Sequence, residues 1–253
     1  MHEQTPRFWD IFFEIFESLP RQGVGSRACT ARALALCADL PPRPRIVDLG
    51  CGVGGQTLDL AELTQGTILA IDKHVPFVER LRQTVADRGL SDRIDARVGD
   101  MLQLDVPPHS FDLVWSEGAF FNIGIESALR IGRELLRPRG HIAFSDAVWG
   151  RENPPEEVRA AFAEYDTMRT VDQLLPVIAD AGFELRGRFT LPASAWWDDF
   201  YTPMEALIAE RRRRYAGDSE AQRALDNLAA EADMHRRYAD YYPYVFFVAR
   251  LKS

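Results

Sequence analysis

The stretch RIVDLGCGVGGQTLDLA, Arg45 to Ala61, is the most informative part of this sequence. It opens as the apolar run of a buried strand, passes through four glycines within six residues, and continues in the pattern of a helix. Gly50, Gly52 and Gly55 form the pattern G-x-G-x-x-G. Glycines after a first strand let the backbone turn sharply beside a ligand, and the next helix offers free N–H groups. The stretch therefore predicts a strand, a ligand-binding turn and a helix.

A carboxylate follows at the distance where such sites bind a ribose. The second predicted strand, GTILAID, ends in Asp72, which lies 22 residues after Gly50. An acidic residue about 20 residues beyond the first glycine can accept hydrogen bonds from ribose hydroxyls. Nicotinamide and adenosyl cofactors both carry this ribose, so the turn and Asp72 leave both classes open.

Asp48, two residues before Gly50, separates the two cofactor classes. A carboxylate at the end of the strand would repel a pyrophosphate but attract an ammonium group. S-adenosylmethionine carries an ammonium group and a sulfonium cation and has no phosphate. The charge pattern therefore favours S-adenosylmethionine.

Length and charge restrict the class of protein. The 253 residues are 46% hydrophobic, which fits one domain with a sizeable core. The formal charge of -8 disfavours a general nucleic-acid binder, because phosphate contacts need a basic surface. No apolar run reaches the roughly 20 residues of a membrane span, and MHEQTPRFWD has no signal-peptide pattern. We expect a cytoplasmic protein with neither a membrane nor a nucleic-acid partner.

The three cysteines, Cys29, Cys37 and Cys51, have neither metal-ligand spacing nor an even number. Cys29 and Cys37 lie eight residues apart on a predicted helix, about 12 Å along its axis, which is too far for a disulfide. Reduced thiols and no metal site are the expectation, with a soft metalloid bound by three thiols as the alternative.

Strands alternate with helices from Arg45 to Trp149, which predicts an α/β fold with a parallel sheet. One of these helices, IESALRIGRELLRPRG, is predicted to close at Gly140. Two helices precede this core and long charged helices follow it, before the final strand PYVFFVARL. We expect one domain over 1–253, divided into an N-terminal helical cap (1–44), a cofactor-binding core (45–149) and substrate-side helices with the final strands (150–253).

Successive motifs in this core resemble those of class I S-adenosylmethionine-dependent methyltransferases. VDLGCGVGGQT, IDKH, GDMLQL, FDLVWSEGAFFNIG and LLRPRGHIAFSD stand in that family's order and spacing. RQGVGS and the final YYPYVFFV are similar to segments of a bacterial small-molecule branch. The resemblance implies a Rossmann-like sheet of seven strands, mostly parallel with the last antiparallel, and a helical insertion near the C-terminus.

The resemblance also implies residue roles at matching positions. Asp72 would bind the ribose hydroxyls, and Asp100 and Met101 would meet the adenine. Gly25 and Ser26 would close over the methionine end of the cofactor, and Ser116 would face its sulfonium. The implied cofactor-binding residues are Gly25, Ser26, Asp48, Gly50, Cys51, Gly52, Gly54, Gln56, Thr57, Asp72, Lys73, Asp100, Met101 and Ser116.

Glu117, just past the fourth strand, is the expected catalytic residue. It would act as a base, stabilise the sulfonium or orient the acceptor. The expected substrate-pocket residues are Asn122, Trp149, Trp196 and Tyr201.

The function expected is methyl transfer from S-adenosylmethionine to a small molecule. The alternatives are an RNA or protein methyltransferase, a non-catalytic cofactor-binding protein, and an NAD-dependent oxidoreductase resting on the literal G-x-G-x-x-G. SEGA stands where nucleic-acid modifying members carry an Asn-Pro-Pro-Tyr type of motif. The acceptor atom stays open, as does the oligomeric state, a homodimer included.

Overall fold

A seven-stranded sheet forms the centre of the computed structural model, which describes residues 5–163, 165 and 168–252. The strand order is β3-β2-β1-β4-β5-β7-β6. β7 pairs antiparallel with both β5 and β6, and the other pairs are parallel. This confirms the predicted sheet with its antiparallel last strand. The strands are β1 (Arg45–Leu49), β2 (Thr67–Asp72), β3 (Ile94–Val98), β4 (Phe111–Glu117), β5 (Leu136–Ala147), β6 (Phe183–Thr190) and β7 (Tyr244–Leu251).

Helices cover both faces of the sheet, and each face has its own buried apolar cluster. Their bounds are α1 (Pro6–Ser18), α2 (Arg27–Ala35), α3 (Gly55–Leu63), α4 (Val75–Asp87), α5 (Ile125–Leu135), α6 (Glu156–Ala161), α7 (Val171–Asp180), α8 (Ser194–Trp196), α9 (Thr202–Arg214) and α10 (Ser219–Tyr238). A five-residue π-helical segment, Trp197–Tyr201, joins α8 to α9. In the described part of the chain, no helix is both long and apolar enough to cross a membrane.

The turn after β1 has the geometry that its glycines predict. Gly50, Gly52 and Gly54 have φ values of +76°, +54° and +89°, in the left-handed region that side chains with a Cβ disfavour. A Cβ on Gly54 would lie 2.2 Å from Cδ1 of Leu81 in α4. Gly54 therefore lets α3 start close against α4.

The N-terminal helix is fastened to the late helices by side chains. Arg7 of α1 donates to the Asp218 carboxylate before α10 at 3.0 and 2.8 Å. Glu14 of α1 accepts from Arg211 at 2.6 Å and from the Tyr215 hydroxyl at 2.7 Å. α1, α9 and α10 thus pack together above the sheet, and we call these three helices the helical wall.

The predicted end of α5 at Gly140 is wrong. The helix ends at Leu135 and β5 begins at Leu136, so Gly140 lies within the strand. Pro138 explains the early end, since the residue before a proline avoids helical backbone. The left-handed residue in this segment is Arg139, with φ +67°.

Candidate active site

One large cavity, of about 890 Å³, lies at the carboxyl edge of the parallel strands, beneath the helical wall. The strand order reverses between β1 and β4, where ligands bind in open α/β sheets. The wall includes the glycine turn, the ends of β2 and β4, α1, α10 and the start of β7. Of the residues expected at a site, it includes Gly50, Cys51, Gly52, Gln56, Asp72, Lys73, Asp100, Met101, Glu117, Asn122, Trp196 and Tyr201.

Asp72 fixes the glycine turn and also faces the cavity. One carboxylate oxygen accepts from the Gly52 amide at 2.8 Å and the other from the His74 amide at 2.9 Å. Each oxygen has a second lone pair, so the carboxylate can still accept two hydrogen bonds from a ligand. The ribose role expected of Asp72 stays a prediction that this geometry permits.

Asp48 lies beneath the turn and not in the cavity wall. It was expected to order either the turn or the cofactor's ammonium group, and its position favours the turn. The side chain is fully buried and accepts from the Thr57 hydroxyl at 2.6 Å and the Gln56 amide at 3.4 Å. Burial raises the pKa of Asp48 to about 7. Asp48 and Thr57 therefore hold the start of α3, and Gln56 reaches the cavity above them.

Asp100 and Met101 line the cavity next to the ends of β2 and β3. Asp100 accepts from the Leu102 amide at 2.9 Å and pairs with Lys73 at 3.3 Å. The Leu102 N–H and then the Lys73 charge lower the pKa of Asp100. Asp100 is therefore an ionised acceptor at neutral pH, suited to an amino group of a ligand.

Glu117 is the centre of a hydrogen-bond cluster. Its carboxylate accepts from Arg21 at 2.9 Å, from the Thr30 hydroxyl at 2.9 Å and from the Trp115 indole N–H at 3.0 Å. Arg21 also pairs with Asp59 at 2.7 Å, and only 3% of the Glu117 side chain is exposed. All three donors come from within the protein, so the geometry supports a positioning role, and the role of a base stays a prediction. Glu117 positions the segment that begins with Arg21.

That segment, Arg21–Ser26, lines the cavity through residues other than those expected. Gly25 donates its N–H to the Ala195 carbonyl at 3.1 Å, and the Ser26 hydroxyl caps α2 by accepting from Cys29 at 3.3 Å. Both groups are used within the protein, and neither residue lines the cavity as the structure describes it. The wall here consists of Arg21, Gln22, Gly23 and Val24.

Gln22 lines the cavity but was not among the residues expected there. Its side-chain oxygen accepts from the Val53 amide at 2.8 Å, and its nitrogen donates to the carbonyls of Phe16 and Leu19 at 3.0 and 3.3 Å. Gln22 thereby joins the glycine turn to the end of α1. Its position in RQGVGS was the available signal, because this glycine-containing segment was already expected to cover the cofactor.

Three more expected residues lie outside the cavity wall. Ser116 is fully buried and donates to the Leu49 carbonyl at 2.9 Å, so it joins β4 to β1 and does not face a sulfonium. Trp149 was expected to line the pocket, but it lies behind the cavity wall. It packs edge-on against Phe162, with ring centroids 5.9 Å apart, and so supports that wall residue. Gly54 supports the turn through its contact with α4.

The far end of the cavity is lined by five aromatic side chains and one glutamate. We call this part the aromatic chamber and define it as Phe162, Trp196, Tyr201, Glu231, Tyr242 and Tyr244. Trp196 and Tyr201 were expected in the pocket, whereas Glu231 and the last two tyrosines were missed. β7 runs antiparallel, so its first residues lie at the same edge as the ends of the other strands. This reversal was the signal that could have placed Tyr242 and Tyr244 at the site.

The comparisons with known proteins agree with this geometry. Residues 46–140 match the family model described as a methyltransferase domain. The solved structure of a SAM-dependent methyltransferase from Geobacter sulfurreducens, in complex with S-adenosyl-L-homocysteine, is similar with a TM-score of 0.80. Residues 46–140 are therefore a methyltransferase domain, and the chain has the fold of a SAM-dependent methyltransferase. The likeness covers 95% of the chain and 97% of that structure at 18% identity, which establishes the fold of this chain.

Two curated methyltransferases share its central region. A sterol 24-C-methyltransferase from Yarrowia lipolytica is 33% identical over 98 residues, covering 38% of this chain. A glycine/sarcosine/dimethylglycine N-methyltransferase from Actinopolyspora halophila is 30% identical over 141 residues, covering 54% of this chain. The matched regions span 26% and 24% of these two relatives, so the chain covers about a quarter of their lengths.

The residues of the cavity fit S-adenosylmethionine, the cofactor of the SAM-dependent methyltransferases. The carboxylates of Asp72 and Asp100 face one cavity, and the backbone of Gly50 and Gly52 lines it between them. Among the described residues, no group of three or more His, Cys, Asp or Glu side chains is arranged to hold a metal ion.

Proposed function

We propose that this methyltransferase transfers a methyl group from S-adenosylmethionine to a small-molecule acceptor, as a single catalytic domain of the bacterial small-molecule branch. The supporting observation is the shape of the cavity: the glycine turn and two carboxylates line one part, and the aromatic chamber closes the other. A volume of about 890 Å³ is within the range of small-molecule sites.

The chain's own groups suit the parts of the cofactor. Asp72 would accept from the ribose hydroxyls, Asp100 from the adenine amino group, and Met101 would pack on the adenine face. The turn at Gly50–Gly52 would lie against the amino-acid end. The cofactor supplies a methyl group activated by a positively charged sulfur, so the protein mainly orients the acceptor.

The helical wall and Arg21–Ser26 would exclude water from the reacting groups. Phe13 of α1 stacks on His74 at 4.2 Å between ring centroids, and His74 bonds Glu17 at 2.7 Å. These contacts hold α1 over the end of β2, above the proposed ribose position. Exclusion of water strengthens the electrostatic interactions inside the site.

Calorimetry with the purified chain tests the cofactor. S-adenosylmethionine or S-adenosylhomocysteine should bind with a dissociation constant in the micromolar range, about -8 kcal/mol. Tight binding of NADH without adenosylhomocysteine binding would establish the oxidoreductase alternative instead.

The acceptor class needs a second experiment. Small metabolites, total RNA and an unmodified protein lysate are each incubated with the chain and S-adenosylmethionine, and adenosylhomocysteine is quantified. Turnover with small metabolites is the expected result. Turnover only with RNA or protein would contradict the small-molecule acceptor, and cofactor binding without any turnover would indicate a non-catalytic binder.

A further inference from the structure

The aromatic chamber has the composition of a site for a positively charged group. Trp196 lies 5.1 Å from Tyr244 and 5.8 Å from Tyr201 between ring centroids, and Phe162 lies 4.9 Å from Tyr242. Aromatic faces attract cations through their quadrupole, most strongly where water is excluded.

Glu231 supplies the negative charge of this chamber. It lines the cavity from α10, and one of its oxygens accepts from the Tyr201 hydroxyl at 3.1 Å. Glu231 forms no ion pair within residues 5–163, 165 and 168–252. A carboxylate enclosed without a countercharge is costly to keep ionised, so the site favours a ligand that brings a cation.

A second polar group in the chamber is available to a ligand. The Tyr242 hydroxyl is buried and has no hydrogen-bond partner among the described residues. Buried hydroxyls normally have a partner, so this group and Glu231 offer two acceptors within one aromatic enclosure.

We propose that the aromatic chamber binds an amine, and that the methyl acceptor of this chain is therefore an amine that enters as its ammonium form. That the amine is methylated rests on the proposed function. That the ligand is an amine rests on the residues of the aromatic chamber alone. Trp196 and the tyrosines would surround the ammonium group, and Glu231 would provide its countercharge.

Glu231 is also suited to accept the proton that an ammonium acceptor must lose. An ammonium nitrogen has no lone pair; transfer of one N–H proton to the carboxylate leaves a neutral amine with a lone pair and a neutral carboxylic acid. No other bond changes in this step. Burial raises the pKa of Glu231, partly offset by the Tyr201 hydroxyl, which favours proton uptake by this group.

Two probes of nearly equal shape test the charge requirement by binding alone. Choline and 3,3-dimethyl-1-butanol differ in a quaternary nitrogen against a quaternary carbon. Calorimetry on the chain saturated with S-adenosylhomocysteine should show choline binding about tenfold or more tightly, the expected gain from desolvated cation–aromatic contacts. Glu231→Gln should remove most of this preference, and Trp196→Leu should reduce it.

Glu220→Gln is the matched control, because Glu220 lies exposed at the first turn of the same helix. It should keep the preference for choline. Equal affinities for the two probes, no saturable binding of either, or an unchanged preference in Glu231→Gln would each overturn the inference. Adenosylhomocysteine affinity, measured in the same samples, reports on the proposed cofactor independently, and its loss would contradict the proposed function instead.

Discussion

Replacing Glu117 by glutamine separates a positioning role from a catalytic base. Glu117→Gln keeps the shape of the side chain but removes its charge, which leaves buried Arg21 with Asp59 alone. The amide nitrogen would also point a donor at one of the three donors now facing the carboxylate. Removing one partner of a buried ion pair costs about 3–5 kcal/mol, and we expect the low end because Asp59 remains.

A loss of about 3 kcal/mol lowers the melting temperature of a chain of this size by about 6–12 °C. Urea denaturation gives the free energy of unfolding and a thermal scan gives the midpoint. Adenosylhomocysteine affinity should fall as well, since Arg21 and Gln22 line the cavity. The matched control is Glu62→Gln, a half-exposed partner of Arg27, for which a change within about 1 kcal/mol is expected.

A double-mutant cycle sharpens the test. Arg21→Gln alone should also destabilise the chain, and the double variant Arg21→Gln/Glu117→Gln should cost less than the two single changes together. One result would contradict the positioning role of Glu117: a Glu117→Gln variant that unfolds like the wild type and binds adenosylhomocysteine normally, but whose turnover falls about 10²-fold or more, as is typical of a lost base.

Three further predictions concern the cofactor edge, the cover and the core. Asp72→Ala should weaken adenosylhomocysteine binding by about 1.5–3 kcal/mol in calorimetry, whereas Asp92→Ala, at an exposed loop position, should leave it unchanged; equal affinities would place the ribose elsewhere. Adenosylhomocysteine should slow amide hydrogen exchange across Arg21–Ser26, and protection limited to the glycine turn would show that this segment is only a connector. Burial lowers the pKa of His141 from 6.5 to about 4, so the unfolded chain takes up the proton first and stability falls as the pH drops from about 6.5 to about 4. His141→Leu should lack this loss of about 3 kcal/mol. Urea titrations should therefore show the free energy of unfolding shifting in favour of the variant, relative to the wild type, as the pH falls. A difference between the two proteins that does not change with pH would contradict this prediction.

The sheet could be predicted from the sequence because its strands are buried runs separated by clear breaks. A buried strand was predicted at the start of the stretch Arg45 to Ala61, where β1 lies, and the glycine turn with its left-handed residues follows it. The end of α5 was not predicted, because RPRG combines a proline with a glycine that commonly closes helices. Only the observed backbone shows that Arg139, and not Gly140, takes the left-handed conformation.

The residues at the cavity were harder to predict than the strands, since orientation depends on distant partners. Arg21 and Glu117 lie 96 positions apart, and no local pattern shows that they meet. Gly25 was expected to contact the cofactor, yet its N–H donates to the carbonyl of the distant Ala195. The position of Glu231 on a long polar helix gave no sign that it lines the cavity beside Tyr201.

The antiparallel β7 returns the chain to the sheet beside the point where it left. β6 ends and β7 begins at the same edge of the sheet, where Thr190 pairs with Val245 and Leu191 donates to the Tyr244 carbonyl at 2.9 Å. Everything between Pro192 and Pro243 therefore leaves and rejoins the sheet at neighbouring points. A replacement segment could join the sheet at these two points, but it would also have to replace the contacts of Arg211 with Glu14 and of Ala195 with Gly25. Under the proposed function, substitutions within this segment would alter acceptor recognition, while the glycine turn and Asp72 belong to the strands on the other side of the sheet.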